Sequence, residues 1–313
     1  MHVACVIVTF NRLLLLRDLV EAVTTQTTPP NSIIIVDNAS TDGTTPWIQD
    51  LASKREDVFN ISMSTNWGGA GGFHFGIKKA CEIGAEWIWT MDDDTAPQLN
   101  ALENLLTCGI IQGTASDQNI GFLSSRVNWK DGNCHQMNVP GPSSDWIAAH
   151  KNYFCSAKIR YSSFVSILIN RFAIMKVGLP IKEFFIYCDD VEFTRRITSA
   201  GFSAYYVPSS LVVHMTAENQ GITMERIVAY PPPVRNREYI IRNLISVNRR
   251  EPFGRFKELA RIFYIMIKLI ANRTPLSIQT KLFRSAIKGF LLDYERWIEF
   301  PDSIADEISF YNT

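Results

Sequence analysis

Several things are missing from this 313-residue chain, and each absence removes a class of protein. Its 31 basic and 31 acidic residues leave no net charge. The six cysteines (Cys5, Cys81, Cys108, Cys134, Cys155 and Cys188) form no CxxC pair, and no histidine stands at zinc-ligand spacing from them. That pattern argues against a disulfide framework or a zinc site and for a reducing compartment. No basic segment precedes the apolar run Val3–Thr9, so no secretory leader is expected. In the basic half, the longest apolar stretch, Ile262 to Ala271, is 10 residues long and carries Lys268. A membrane-spanning helix needs about 20. There is no internal repeat, no low-complexity tract, no Walker loop and no GxGxxG fingerprint.

What is present reads as a folded α/β protein. Hydrophobic residues make up 46% and charged residues 20%, enough to build a core. The length suggests one large domain plus an extension. Val3–Thr9, Ser32–Asp37 and Trp87–Met91 are short apolar runs of the kind that form strands buried on both faces, with Phe59–Ser64 a further candidate. Helical periods over 13–26 and 71–84 alternate with them, which predicts a parallel sheet. Beyond Pro97 the spacing predicts helices over 98–110 and 190–200. Strands are predicted over Ile120–Ser125, Ser162–Ile169 and Ala204–Val207, the last stopped by Pro208. Residues 126–160 read as a loop-rich segment suited to binding. From Arg235 to Arg296 there are 14 Lys or Arg against 5 Asp or Glu, so the charge balance hides a basic carboxyl-terminal part. Such a segment suits an anionic membrane surface or self-association. Nucleic-acid binding is not expected, because no nucleic-acid motif accompanies the charge.

Three polar clusters fall at the carboxyl ends of predicted strands, where ligands bind in parallel sheets: Thr9-Phe10-Asn11-Arg12, Asp37-Asn38-Ala39-Ser40 and Asp92-Asp93-Asp94. Consecutive carboxylates repel one another and need a cation or hydrogen-bond donors. Asp92 and Asp94, alternate on an extended segment, can share one Mg²⁺ or Mn²⁺; the bland alternative is a solvated acidic turn. Asp37 begins a polar loop, "VDNASTDGT", that can meet a base edge or ribose; the bland alternative, compatible with that role, is a helix start capped by Thr41 or Asp42. "NWGGAGGF", residues 66–73, places four glycines before a helix and lets a ligand approach backbone N–H groups, or simply makes a tight turn. Asp189 and Asp190 can cap a helix, or can deprotonate an acceptor hydroxyl. His214, ending "LVVH", is either structural or the completion of a cation site. Trp67, Trp129, Trp146, Phe184, Phe185 and Tyr187 can stack on sugars or merely pack.

In order along the chain, "VTFNR", "IIIVDNASTDGT", "NWGGAGGF", "TMDDD", "CDDVEF" and "VVH" resemble the glycosyltransferase family 2 pattern, with the closest likeness to bacterial galactofuranosyltransferases and then to rhamnosyltransferases. "VRNREYIIRN", residues 234–243, is similar to both groups. The resemblance implies an α/β fold of the GT-A, Rossmann-like type: a mostly parallel sheet flanked by helices, with a helical carboxyl-terminal extension. It divides the chain into a nucleotide-sugar and catalytic domain, 1–217, and a basic helical region, 218–313. It implies that Thr9, Arg12, Asp37 and Asn38 line a nucleotide pocket and that Asn66, Gly68 and Gly69 meet the sugar nucleotide. Asp92, Asp94 and His214 would hold Mn²⁺ or Mg²⁺, and Asp93 would orient donor groups. Asp190 would be the base and Asp189 a sugar-binding neighbour. The implied activity is inverting transfer of galactofuranose from UDP-galactofuranose to a glycan or lipid-linked glycan in cell-surface polysaccharide synthesis. The implied location is cytoplasmic, on the inner face of the membrane. A dTDP-rhamnose-dependent rhamnosyltransferase is the near alternative. A nucleotidyltransferase or a non-catalytic carbohydrate-binding subunit stands further off.

Overall fold

The computed structural model describes residues 1–108, 119–142 and 157–301. Among them lies a ten-stranded mixed sheet. Strands β1 (Val3–Thr9), β2 (Ser32–Asp37), β3 (Val58–Ser62) and β4 (Trp87–Asp92) form its parallel half in the order β3-β2-β1-β4. Strand β9 (Ile167–Asn170) pairs antiparallel with both β4 and β6 (Ile120–Asn128), and β10 (Ser203–His214) then runs parallel to β6. β6 and β10 therefore point the same way as β1, β2 and β4, and all five present their carboxyl ends along one edge. Short strands β5 (Thr95–Pro97), β7 (Gly141–Pro142) and β8 (Ala157–Tyr161) complete the sheet around β10.

Burial explains the parallel half. All seven residues of β1 and all six of β2 are buried. Side chains alternate across the sheet: Val3, Cys5 and Ile7 join one core layer, and Ala4, Val6 and Val8 join the other. Helix α1 (Leu13–Thr24) covers the first layer with Leu16, Leu19, Val20 and Val23, spaced at three and four residues. Helices α2 (Thr44–Lys54) and α4 (Ala101–Leu106) flank the same layer, and α3 (Gly68–Glu82), α5 (Arg171–Val177) and α6 (Asp189–Ser199) the other.

Several elements differ from the sequence expectation. Strand β9 begins at Ile167 rather than Ser162, because Phe164 packs into the core and Ser166 takes a left-handed φ of 67°. Ser166 instead joins a buried chain in which Trp89 Nε1 donates to its hydroxyl (2.9 Å), which meets Ser125 (2.7 Å) and, through it, Ser210 (2.7 Å). Pro208 does not stop a strand: β10 continues through it, and residues 208–210 bulge out between the pairs Val207–Ser125 and Leu211–Arg126. The predicted helix over 98–110 is observed as Ala101–Leu106, its last predicted residues lying outside those described. The 126–160 segment contributes part of β6 as well as β7 and β8.

The carboxyl-terminal part is helical: α7 (Met224–Val228), α8 (Arg237–Asn248), α9 (Gly254–Ala271) and α10 (Leu276–Leu291). These helices share a core of their own, including Ile240, Ile245, Ile265 and Leu282. A smaller cluster of Ala70, Ile181, Phe184, Val247, Leu292 and Tyr294 joins it to the sheet domain. Among the described residues no helix is long and apolar enough to cross a membrane.

Candidate active site

The carboxyl ends of β1, β4 and β10 bring the acidic triplet, Arg12 and His214 together. Thr9 donates its hydroxyl to Asp93 Oδ2 at 2.8 Å, and the Phe10 N–H donates to the same oxygen at 3.3 Å. Arg12 Nη1 donates to Asp93 Oδ1 (2.9 Å) and Asp94 Oδ2 (2.7 Å). One guanidinium thus spans two of the three carboxylates. Asp92 makes no side-chain hydrogen bond among the described residues; burial and then repulsion from Asp94 push its pKa up to about 7.

The remaining member is His214, whose Nε2 stands 3.0 Å from Asp94 Oδ1. Its Nδ1 is 2.8 Å from Asn138 Oδ1, and the Asn138 amide in turn donates to Ser163 Oγ at 2.8 Å. The Asn138 oxygen must therefore accept from Nδ1–H, which leaves Nε2 directed at the carboxylates. Only a proton or a cation can sit between Nε2 and an ionised Asp94. With the proton in place, burial opposes the charge on His214, but the bond to Asp94 and the fields of Asp94 and Asp92 outweigh it and raise the pKa. Ligand atoms of Asp92, Asp94 and His214 all lie within 4.8 Å of one another. Two carboxylate oxygens and one imidazole nitrogen, with Nδ1 already tethered, are a donor set that fits Mn²⁺ or Mg²⁺. His135 walls this side, its ring 4.6 Å from that of His214 and its Nε2 2.8 Å from the Thr216 hydroxyl. Burial and the neighbouring His214 push His135 down to about 4, so it stays neutral.

The second acidic group is at the start of α6, where Asp189 and Asp190 occupy the first turn. Asp189 is buried, and burial first, then Asp190 and Asp92, hold its pKa well above the usual carboxylate range. The contribution of Asp92 shows that the pair stands within electrostatic reach of the triplet. Asp190 is half-buried and accepts from the Val191 N–H at 2.7 Å; burial pushes it up to about 6. Burial thus lifts both carboxyls of the pair above the usual carboxylate range.

The segment before this pair is strained and clamped. Phe185, Tyr187 and Cys188 all adopt left-handed φ, between 64° and 67°. Asn243 of α8, fully buried, donates its amide to the carbonyls of Phe184 (3.0 Å), Ile186 (3.0 Å) and Tyr187 (2.8 Å). Arg242 Nε donates to the Asn243 oxygen at 2.8 Å and fixes its orientation, while Arg242 Nη2 donates to the carbonyls of Glu183 (2.9 Å) and Phe184 (3.0 Å). The carboxyl-terminal region therefore sets the loop that delivers Asp189 and Asp190. Sequence reasoning singled out "VRNREYIIRN" but assigned Asn243 and Arg242 no role, and it missed Asn138 and His135 inside the loop-rich segment.

Around the expected nucleotide pocket the glycines do something different from what the sequence suggested. They do not precede a helix beginning at 71; α3 starts at Gly68. A Cβ on Gly68 would lie 1.9 Å from the Phe185 carbonyl oxygen, and one on Gly72 would lie 2.3 Å from Val8 Cγ1. These positions let α3 approach the sheet and the clamped loop. Gly69 alone among the four meets nothing within 4 Å. Asn38 holds this start in place, accepting from the Trp67 N–H at 3.4 Å and donating to the Gly68 carbonyl at 3.0 Å, while Asn66 accepts from the Gly68 N–H at 2.6 Å. Asp37 is fully buried and accepts from the Ser40 N–H (3.0 Å) and the Thr45 hydroxyl. Asp42 accepts from the N–H groups of Thr44 and Leu13 (both 3.1 Å), serving the starts of two helices. Of the aromatic candidates, Phe184 is fully buried and offers no face to a sugar, and Phe185 is stacked on Tyr239 at 4.9 Å. Trp67 is 39% exposed, and Trp146 lies outside the described residues.

A half-parallel sheet with carboxylates and a histidine at its carboxyl edge is a GT-A-like α/β glycosyltransferase fold. The crystal structure of GalNAc-T7 with UDP, GalNAc and Mn²⁺ shares it, with a TM-score of 0.62 at 15% identity, covering 99% of this chain and 57% of that one. Residues 4–108 match Glycosyl transferase family 2. Galactofuranosyltransferase GlfT1 of Mycolicibacterium smegmatis is 28% identical over 213 residues, covering 64% of this chain and 66% of the relative, just under two-thirds of its length. The N-acetylglucosaminyl-diphospho-decaprenol L-rhamnosyltransferase of Mycobacterium tuberculosis is 23% identical over 214 residues, covering 61% and 69%.

Proposed function

We propose that this protein is an inverting, metal-dependent glycosyltransferase that moves galactofuranose from UDP-galactofuranose to a hydroxyl of a lipid-linked glycan in cell-surface polysaccharide synthesis. The observation that carries the reading is the meeting of Asp92, Asp94 and His214 at one sheet edge, within electrostatic reach of the Asp189–Asp190 pair. The galactofuranosyltransferase relative favours this donor. Those three side chains would hold Mn²⁺ or Mg²⁺, which would supply positive charge beside the donor's diphosphate.

The chain's own residues do the rest. Thr9 and Arg12 hold Asp93, which stays at the edge to orient donor hydroxyls. Asp37, Asn38 and Asn66 shape the loops at the nucleotide end, and Gly69 leaves backbone accessible there. Asp190, ionised above about pH 6, removes the proton of the acceptor hydroxyl. The acceptor oxygen attacks the anomeric carbon as the bond to the diphosphate oxygen breaks on the opposite face. That single displacement inverts the centre and needs no enzyme nucleophile. Asp189, beside the base, binds a hydroxyl of the donor or acceptor sugar.

The rhamnosyltransferase relative keeps dTDP-rhamnose as the second reading. The two donors differ in base, ribose 2′-hydroxyl and sugar ring. Turnover of both nucleotide sugars by the purified chain with a lipid-like acceptor separates them: faster consumption of dTDP-rhamnose overturns the galactofuranose assignment, and pyrophosphate release from a nucleoside triphosphate overturns sugar transfer altogether.

A further inference from the structure

Helix α9 has apolar side chains on two faces. Ile262, Ile265 and Leu269 point inward and pack into the carboxyl-terminal core. Phe256, Leu259, Phe263, Met266, Ile267 and Ile270 recur at spacings of three and four and are all exposed, Phe256 at 76% and Phe263 at 66%. Spacings of that kind place them in one stripe along the helix. Phe253, just before α9, and Leu276, at the start of α10, extend the apolar surface and are also exposed. So many large apolar groups in one continuous stripe mark a contact surface rather than scattered exposure.

Charge identifies what that surface meets. Residues 254–291 carry eight Lys or Arg and a single acid, Glu258. Glu258 is buried and bonded to Arg261 at 2.7 Å, so it offers no exposed negative charge. Lys257, Lys268, Lys281 and Lys288 are exposed on α9 and α10. A two-fold pairing of this face would bring two basic surfaces together, which opposes self-association. An anionic bilayer offers hydrocarbon for the stripe and phosphate for the lysines.

We propose that α9 lies in the surface of an anionic phospholipid bilayer, with the Phe256–Ile270 stripe in the acyl boundary and the basic side chains of α9 and α10 on the lipid phosphates. The sugar-transfer reading is not needed for this, and its test contains neither donor nor acceptor, so either can fail alone.

The test is flotation of the full chain with vesicles of phosphatidylcholine, with and without phosphatidylglycerol, alongside light scattering of the free protein. The expected result is binding to the anionic vesicles only, weakened by salt. Phe256→Asp with Phe263→Asp should cut the bound fraction by about tenfold or more. Lys257→Gln with Lys268→Gln should cut it by about tenfold while leaving every apolar contact in place. All four side chains are exposed, so thermal melts should match the parent protein. Failure of the parent protein to float, or undiminished flotation of the double Phe variant, would overturn the proposal. So would a dimer that the Phe substitutions dissociate, which would assign the stripe to a second copy of the chain.

Discussion

The two acidic groups of this protein occupy one edge but are held in opposite ways. The Asp92–Asp94 triplet sits at a strand end and is tied by side chains from distant elements: Arg12 after β1, Thr9 within it, and His214 closing β10. The Asp189–Asp190 pair starts a helix, and its position is set through the backbone, by an asparagine that gathers the three carbonyls ahead of it. Cations face the first group, so part of its charge is balanced. Among the described residues no cationic side chain is bonded to the second, and burial lifts both of its carboxyls. Carboxylates that look alike in sequence are thus prepared for different work, one to hold positive charge and one to accept a proton.

The comparison breaks most sharply at Asp190. Asp190→Asn should lower turnover by about 10³-fold while nucleotide-sugar binding, read by calorimetry, is retained. In the parent protein kcat/KM should fall about tenfold per pH unit below about pH 6, because the base is lost as pH drops through its raised pKa, and the substitution should erase that limb. On the cation side, His214→Ala should cost about 100-fold in kcat/KM. Mn²⁺ should raise the melting temperature of the parent protein and not of this variant or of Asp92→Asn. Asp92→Asn without metal should melt higher than the parent, since it removes a repelled carboxylate. A smaller effect tests the clamp: Asn243→Ala takes the amide donor from the Ile186 and Tyr187 carbonyls, should cost about 2–3 kcal/mol of stability, and should lower kcat about tenfold with KM little changed. Least of all should be Gly69→Ala, where a methyl meets nothing and helix propensity gains up to about 1 kcal/mol, whereas Gly72→Ala, against Val8, should lose about 1–3 kcal/mol.

Strands β1, β2 and β4 could be read from the chain because burial on both faces leaves an unbroken apolar run, and because each ends in the polar residues that mark the edge. The acidic triplet and His214 were legible for the same reason. The packing role of the glycines of α3 was not legible, because a turn and a close helix-to-sheet contact call for the same residue; only the position of Val8 and the Phe185 carbonyl distinguishes them. Asn138 and Asn243 act on partners 76 and 56 to 59 residues away, a relation that no local pattern carries. The left-handed turns at Phe185, Tyr187 and Cys188 have no glycine to announce them, since the clamp rather than local preference enforces them.

The bulge at 208–210 has a consequence for the cation site. Before it, Tyr205 and Val207 face one core layer and Ala204 and Tyr206 the other; after it, even-numbered Val212 lies in the layer that odd-numbered residues served. Inserting three residues reverses the parity of the strand. An uninterrupted β10, continued from the pair Val207–Ser125, would bring Leu211 to the place beyond Asn128 that His214 now holds, and present its isobutyl group instead of the imidazole. Whether this edge can grip an ion is thus decided by the number of residues held in a kink well short of the strand's end.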